Sequence, residues 1–299
     1  MGTPVFAAAP LERLYNDGHD IAGVFTQPDK SRNRGMRVSY SPVKEIAMAH
    51  GTAVFQPEKL SDGTAADIIS GLNCDMIVVV AYGKLLPRDI LDLPPLGCIN
   101  IHASLLPKYR GAAPIQWAIL NGEKETGLTS IYLSEELDAG DMILSKRTLV
   151  GDDETARELF ERLSLSGAEL LSETIGAILS GKAARIPQIQ SEATYAPPLR
   201  KEMSPIDWKD KALQIKRKVR GLDPWPVATA EFGGTIYKVF SVDISDRRQE
   251  GKNPGDVISA GRQGIEVACA DAAIIIKELQ APGGRRMQAS EYLKGHKID

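Results

Sequence analysis

The chain has 299 residues, 43% of them hydrophobic, and a formal net charge of −3, which is enough length and apolar content for two domains with separate cores. No stretch approaches the roughly 20 apolar residues of a membrane span, and the amino terminus lacks the pattern of a secretory signal, so we expect a cytoplasmic protein. The three cysteines form no Cys-x-x-Cys pair and the four histidines have no metal-ligand spacing, which argues against disulfides and against a bound metal.

The first 180 residues alternate between strand-like and helix-like segments. Predicted strands cover residues 21–26, 52–56, 75–81 and 98–102, and predicted helices cover residues 43–50, 65–72, 88–91, 113–120 and 155–179. This alternation predicts a doubly wound, Rossmann-like α/β domain with a mainly parallel sheet, whose ligands bind beyond the carboxyl ends of the strands. No Gly-x-Gly-x-x-Gly or Walker sequence occurs, so a nucleotide cofactor is not indicated.

One connection in this part, residues 28–42, has no hydrophobic pattern. It is about 15 residues long, which compact domains seldom tolerate unless the loop has a function. It carries Lys30, Arg32, Arg34 and Arg37, so it is either a solvated surface loop or a contact for a partner.

The last hundred residues have a different pattern. Residues 181–200 contain three prolines and predict a linker between a domain of residues 1–180 and one of residues 201–299. A basic helix at 209–220 precedes strand-like runs at 229–232, 237–242, 256–259, 265–268 and 273–279, which predict a small, OB-like β-barrel. Residues 200–299 hold 18 Lys and Arg against 14 Asp and Glu, whereas residues 1–199 hold 18 against 25, a weak indication of a polyanionic partner.

Three polar residues near the middle are candidates for catalysis. Asn100 and His102 stand two apart at the end of an apolar run, so on a strand their side chains share a face. Asp138 follows later, before Ala-Gly. On the residues alone, each is also explained by a local hydrogen bond or a turn.

The surrounding blocks make the chain recognisable. Asn100-x-His102, Ser104-Leu-Leu-Pro107, Tyr109-Arg-Gly111 and Leu137-Asp-Ala-Gly-Asp141 occur in order, and the tail adds Asp223-Pro-Trp-Pro226. Because of these blocks, the chain resembles the formyl-tetrahydrofolate-dependent formyltransferases over essentially its whole length. Within that family it is most similar to the members that act on tRNA. The resemblance implies transfer of the formyl group of 10-formyltetrahydrofolate, without a metal, to the amino group of methionyl initiator tRNA in translation initiation, by an enzyme that we expect to be a monomer.

The resemblance also implies roles for the three candidates. Formyl transfer must stabilise a tetrahedral oxyanion, deprotonate the attacking amine and protonate the leaving nitrogen. Asn100 would donate its amide to the formyl oxygen, and His102 would stabilise that oxygen as an imidazolium or relay a proton. Asp138 would accept the amine proton, directly or through water, and favour the charged form of His102.

Two further sets of residues follow from the resemblance. The folate set consists of a folate-binding loop, Ser104, Leu105, Leu106 and Pro107, and of a wall of the pteridine slot, Tyr82, Gly83 and Leu85. The structural alternative for each is a strand-to-helix turn rich in Leu and Pro. The tRNA set consists of the residue we single out, Arg34, with Arg37 and Lys30 as phosphate contacts, and of Lys209, Lys216 and Lys218 on the basic helix, for which a solvated helix face is the alternative.

One feature departs from the family. Its members normally begin with a short apolar strand before Gly-Thr-Pro, whereas here Met1 directly precedes Gly2, so we expect the sheet to lack a central strand and to leave apolar neighbours uncovered. Two alternatives to tRNA formylation stay open: an enzyme that formylates a small amine or hydrolyses the folate, and an inactive folate- or RNA-binding relative.

Overall fold

The computed structural model describes residues 1–32, 37–245 and 251–298, and the chain divides into two compact units. The first unit contains Met1–Pro114, Glu125–Leu149 and Phe160–Pro197, and the second contains Ile115–Lys124, Val150–Leu159 and Pro198–Asp299. In the part of the chain that is described, none of the helices has the length and apolar character needed to cross a membrane.

The elements follow one another in an α/β order through the first two thirds of the chain. In chain order they are α1 (Val5–Asn16), β1 (Val24–Phe25), β2 (Lys30–Arg32), β3 (Arg37–Ser39), α2 (Pro42–Ala49), β4 (Val54–Phe55), α3 (Thr64–Leu72), β5 (Ile77–Val79), α4 (Arg88–Leu91), β6 (Cys98–His102), β7 (Arg110–Gly111), α5 (Pro114–Asn121), β8 (Glu125–Tyr132), β9 (Met142–Leu149), α6 (Ala156–Leu179) and β10 (Tyr195–Ala196). The predicted doubly wound α/β pattern is therefore confirmed.

The main sheet of the first unit has the order β5-β6-β8-β9. Its β5 and β6 are parallel, whereas β6 with β8 and β8 with β9 are antiparallel, so the sheet is mixed rather than mainly parallel. All five residues of β6 are buried, as expected for a strand covered on both faces. Strand β6 thus holds its polar residues, Asn100 and His102, inside the unit.

The first residues of the chain lie between β1 and β5. The Gly2 amide donates to the Phe25 carbonyl at 2.9 Å, and the Val80 amide donates to the Met1 carbonyl at 2.9 Å. Beside them is a cavity of about 360 Å³. Its lining includes apolar side chains of α1 and α6, among them Leu11, Leu14, Leu171, Ile175 and Leu179.

The second unit is built on an antiparallel sheet. After a short 3₁₀ helix at Lys201–Met203, its elements are α7 (Ala212–Gly221), β11 (Ala228–Phe232), β12 (Thr235–Ser245), β13 (Val257–Gly261), β14 (Gly264–Ala268), β15 (Ala273–Gln280), β16 (Met287–Gln288) and α8 (Ala289–Tyr292). The strand order is β11-β12-β15-β14-β13, with β16 on β15, and within the described residues no pairing of β11 with β13 closes it. The five predicted strands are present and pair in one antiparallel sheet, and closure of the predicted OB-like barrel is not found among the described residues.

The apolar face of α7 covers this sheet. Ala212, Ile215 and Val219, spaced as one helix face requires, are buried in one cluster with Val239 and Ile274 of the sheet. The other face of α7 carries the cations that gave the helix its basic pattern.

Several helices and strands were not predicted from the sequence. Helix α1 has a proline inside it, Pro10, which weakened its helical pattern. Strands β8 and β9 were missed because β8 contains Thr126, Thr129 and Ser130, polar residues that are nevertheless buried. The segment 28–42, predicted as a connection, contains the paired short strands β2 and β3.

Candidate active site

Asn100, His102 and Asp138 lie together at the end of β6. Asn100 and His102 are 8% and 6% exposed, and both side chains reach the Asp138 carboxylate, so they lie on the same side of the strand, as predicted. Asn100 Nδ2 is 3.5 Å from Asp138 Oδ1, and His102 Nδ1 is 3.5 Å from Asp138 Oδ2. One carboxylate therefore faces both an amide donor and an imidazole.

The backbone of the β7 strand fixes the Asp138 carboxylate. The Gly111 amide donates to Asp138 Oδ2 at 2.8 Å. Asp138 itself has a φ of 49°, a left-handed conformation that aspartate adopts more readily than most residues. Its side chain is only 11% exposed, so the carboxylate is held in a partly desolvated site.

The second ring nitrogen of His102 is hydrogen-bonded to the backbone. His102 Nε2 lies 2.8 Å from the Tyr109 carbonyl oxygen. Because a carbonyl oxygen only accepts, Nε2 carries a proton, and a further proton on Nδ1 would point at Asp138. The hydrogen bond to Tyr109 thus fixes the ring with Nδ1 facing the Asp138 carboxylate.

The loop that follows β6 is held by buried hydroxyl groups. Ser104 Oγ donates to the Lys108 carbonyl at 2.5 Å. Thr129 Oγ1 of β8 donates to the Ser104 carbonyl at 2.7 Å and accepts from the Leu106 amide at 3.1 Å. Ser104 and Leu106 are therefore buried, whereas Leu105 and Pro107 are partly exposed.

The end of this loop requires a glycine. Gly111 has a φ of 116°, and a Cβ at this position would lie 2.8 Å from the Ala196 carbonyl oxygen of β10. The Tyr109 amide donates to Thr194 Oγ1 at 2.9 Å in the same place. Residues 194–196, which the sequence predicts as linker, therefore help to shape the site in the first unit.

The other predicted folate residues differ in their exposure. Tyr82 is buried in the apolar core, and its hydroxyl has no hydrogen-bond partner among the described residues. Burial raises the pKa of Tyr82 to about 12. Gly83, with a φ of 82°, and Leu85, 60% exposed, lie at the surface, so they and not the Tyr82 ring are accessible to a ligand.

The residues predicted to bind tRNA also differ in their surroundings. Arg34 lies outside the described residues, and Lys30 and Arg37 belong to the paired strands β2 and β3. Lys209 is exposed just before α7.

Two lysines of α7 contact their own unit instead of extending into solvent. Lys216 Nζ pairs with Asp153 Oδ1 at 2.5 Å. Lys218 Nζ donates to the Pro205 carbonyl at 2.5 Å, and burial lowers the pKa of Lys218.

Two functional candidates were missed by the sequence analysis. Arg110 is 2% exposed and binds Gln188 and Gln190, and Gln188 in turn contacts the backbone of Asp138. The only sequence signal for them was the Tyr-Arg-Gly block and a pair of glutamines two residues apart. Within the described ranges, no group of three or more potential metal ligands lies together.

Comparison with known proteins identifies the family of the chain. Residues 1–175 match the family described as Formyl transferase, and residues 198–297 match the one described as Formyl transferase, C-terminal domain. A methionyl-tRNA formyltransferase of Alkaliphilus oremlandii is 48% identical over 300 residues, covering 100% of this chain and 96% of the relative. One of Caldanaerobacter subterraneus is 46% identical over 299 residues, with the same coverage.

A solved structure has the same fold. The sugar 3N-formyl transferase WlaRD, solved in the presence of dTDP and 5-N-formyl-THF, superposes with a TM-score of 0.68 at 17% identity and covers 94% of this chain and 95% of its own. At that identity the likeness concerns the fold alone. The two family matches span both units and the relatives cover the whole chain, so this chain belongs to the formyl transferase family.

Proposed function

We propose that this protein transfers the formyl group of 10-formyltetrahydrofolate to the amino group of methionyl initiator tRNA. The observation that carries the proposal is the meeting of Asn100, His102 and Asp138 at the end of β6, with both nitrogen–oxygen distances to the carboxylate at 3.5 Å. The full-length relatives named methionyl-tRNA formyltransferase support the choice of acceptor. Because the acceptor is a tRNA used in translation, the proposal places the enzyme in the cytoplasm.

The three side chains supply what the reaction needs. The amine nitrogen attacks the formyl carbon, and the electron pair of the C=O bond moves onto oxygen, where Asn100 Nδ2 and protonated His102 stabilise it. Asp138 accepts the proton that the amine loses. When the oxyanion collapses, the bond to the folate nitrogen breaks and that nitrogen takes the Nδ1 proton of His102, because the Nε2 proton is held by the Tyr109 carbonyl. The products are the formamide and tetrahydrofolate.

The observed distances fit a free enzyme. Contacts of 3.5 Å are long for hydrogen bonds, and catalytic hydrogen bonds commonly shorten only when substrate is bound. The Gly111 amide holds Asp138 Oδ2 at 2.8 Å, whereas Oδ1 has only the long contact with Asn100 Nδ2, so Oδ1 is the oxygen proposed to accept the amine proton.

The folate would bind beside this cluster in the first unit. The proposed contacts are the loop from Ser104 to Pro107 and the exposed backbone of Gly83, with Leu85 as an apolar wall. The Ser104 hydroxyl is occupied by the Lys108 carbonyl, so Ser104 shapes the loop and Leu105 and Pro107 provide its accessible surface. Of Tyr82, only the backbone is proposed to line the folate site, because its ring is buried in the core.

For the tRNA we propose contacts by Lys30, Arg34 and Arg37 of the segment 28–42 and by the basic segment that includes α7. Within the basic segment, Lys209 is the stronger candidate because its ammonium makes no ion pair with the residues described. Lys216 and Lys218 would need to leave Asp153 and the Pro205 carbonyl before they could reach phosphate.

The experiment that tests the proposal measures transfer of labelled formyl to several acceptors. Purified protein, 10-formyltetrahydrofolate and methionyl initiator tRNA are compared with methionyl elongator tRNA, free methionine and an amino sugar nucleotide, at two salt concentrations. Product on the initiator tRNA alone, decreasing with salt, is the expected result. Product on the small amine, or release of free formate without an acceptor, would contradict the proposed acceptor and favour the alternatives.

A further inference from the structure

A buried cation without an acidic partner lies next to the proposed catalytic carboxylate. The Arg110 guanidinium is 2% exposed, and no carboxylate among the described residues forms an ion pair with it. Its Nε and Nη2 donate to Gln188 Oε1 at 3.0 and 2.7 Å, and its Nη1 donates to Gln190 Oε1 at 2.9 Å. Two neutral amide oxygens therefore satisfy a charge that burial would otherwise make costly.

These contacts determine how the Gln188 amide is turned. A guanidinium only donates, so the oxygen of Gln188 must face Arg110 and the nitrogen must point away from it. The nitrogen is within reach of two carbonyls: Gln188 Nε2 donates to the Asp138 oxygen at 2.8 Å and to the Gly140 oxygen at 2.8 Å. Both protons of the amide are thus used on the turn that carries Asp138.

Other backbone hydrogen bonds of this turn run from the Ala139 amide to the Glu136 carbonyl at a long 3.5 Å and from the Tyr132 amide to the Asp141 carbonyl at 2.9 Å, and neither involves the Asp138 carbonyl. Asp138 has a φ of 49°, so its conformation has to be stabilised by surrounding contacts. The end of the turn is fixed separately, because Met142 and Ile186 exchange backbone hydrogen bonds at 2.9 and 3.0 Å. Removing the Gln188 amide would therefore release the middle of the turn while its end stays attached.

We infer that Gln188 is a positioning residue for Asp138 and that buried Arg110 orients it, an inference that rests on the proposed function. Gln188 acts through two backbone carbonyls and touches no reacting atom. Its job is to hold the Asp138 carboxylate at the distance from the formyl carbon that proton transfer requires. The segment 181–197, which follows the long helix α6, is then part of the active-site support and not only a connection.

The test uses a substitution that separates the two sides of the Gln188 amide. Gln188→Glu keeps an oxygen acceptor for Arg110, and gives that cation a carboxylate partner, but it has no N–H to donate to the Asp138 and Gly140 carbonyls. Gln190→Glu is the matched control, because Gln190 accepts from the same guanidinium and has no contact with the turn in the described structure. Wild type, both variants and Asp138→Asn are compared in one formyl-transfer assay, with thermal melting of each.

For Gln188→Glu we expect kcat per folded molecule to fall at least tenfold while the KM values of both substrates change little, since a misplacement of about 1 Å can cost about a hundredfold in rate. The melting temperature should also fall, because the Asp138 and Gly140 carbonyls lose their donor. For Gln190→Glu we expect kcat within threefold of wild type, because Gln190 has no described contact with the turn that carries Asp138. A purely structural role would instead lower the melting temperature of both variants and leave kcat per folded molecule unchanged.

The outcomes separate this inference from the function on which it rests. If wild type is active and Asp138→Asn is impaired, but Gln188→Glu retains full kcat, the positioning role is wrong and the proposed function stands. Equal losses of kcat in the two glutamate variants would also overturn the role of Gln188, because they would trace the effect to Arg110 alone. An inactive wild type would overturn the proposed function and the inference together.

Discussion

Replacing Thr129 with valine is expected to destabilise the protein strongly although the two side chains have the same shape. Thr129 is fully buried on β8, and its hydroxyl joins two backbone groups of the loop after β6. It donates to the Ser104 carbonyl at 2.7 Å and accepts from the Leu106 amide at 3.1 Å. Thr129→Val leaves both backbone groups buried without these partners.

The expected loss follows from those two groups. Each buried polar group left unsatisfied costs about 1–3 kcal/mol, so the two together predict a loss of about 2–6 kcal/mol in the free energy of unfolding. This is a large share of the roughly 5–15 kcal/mol that stabilises a typical protein. The loop is also the proposed folate contact, so the KM for 10-formyltetrahydrofolate should rise.

Urea unfolding at neutral pH measures the effect. Thr126→Val on the same strand is the control, because Thr126 is also buried but its hydroxyl makes no side-chain hydrogen bond to the residues described, and we expect it to cost far less. If the free energy of unfolding of Thr129→Val lies within about 0.5 kcal/mol of the wild-type value, the reasoning is refuted, because a change that small is typical of surface substitutions. The Ser104 carbonyl and the Leu106 amide would then have found other partners.

Three other predictions test separate parts of the structure. Gly111→Ala should lower both stability and turnover, because its Cβ would lie 2.8 Å from the Ala196 carbonyl oxygen and displace the amide that binds Asp138. Thermal melting measures the loss of stability and kcat the loss of turnover. An unchanged melting temperature and kcat would exclude the clash. Burial raises the pKa of Tyr82 from 10.0 to about 12, so its contribution to stability is complete below pH 10 and is lost as the pH rises through 12. Tyr82→Phe should therefore unfold with a weaker pH dependence than wild type above pH 10 and lose little at pH 7, where its hydroxyl has no described partner; a parallel pH dependence would contradict this. Lys209→Ala should weaken tRNA binding and reduce its salt slope by about 1, whereas Lys294→Ala, whose ammonium pairs with Glu291, should not; equal slopes for wild type and Lys209→Ala would remove Lys209 from the tRNA surface.

Local sequence pattern predicted the parts of the site that lie within one element. The apolar run that forms β6 and the two-residue spacing of Asn100 and His102 were enough to place both side chains on one face of a buried strand. The position of Asp138 beside them depends on β8 and β9, which pair over a turn and contain buried polar residues. Periodicity does not detect such strands, so the meeting of the three residues was expected only from the family resemblance.

The support of the site could not be predicted because it comes from distant residues. Gln188 is 50 positions beyond Asp138, in a segment whose prolines predicted a linker. Composition indicates that such a segment is irregular, but it does not indicate where its side chains bind. The same limit applies to α7, where the sequence displays the charges of Lys216 and Lys218 but not their contacts with Asp153 and Pro205.

Single-turnover formyl transfer to methionyl initiator tRNA by wild type and Asp138→Asn tests the central claim most directly. The asparagine keeps an oxygen that can accept from the Gly111 amide but cannot take a proton from the amine. We expect the variant to bind the folate as wild type does and to transfer formyl about 10²–10⁴ times more slowly, the usual contribution of a general base. Equal rates for the two proteins would contradict the assignment of Asp138 and with it the proposed chemistry of this site.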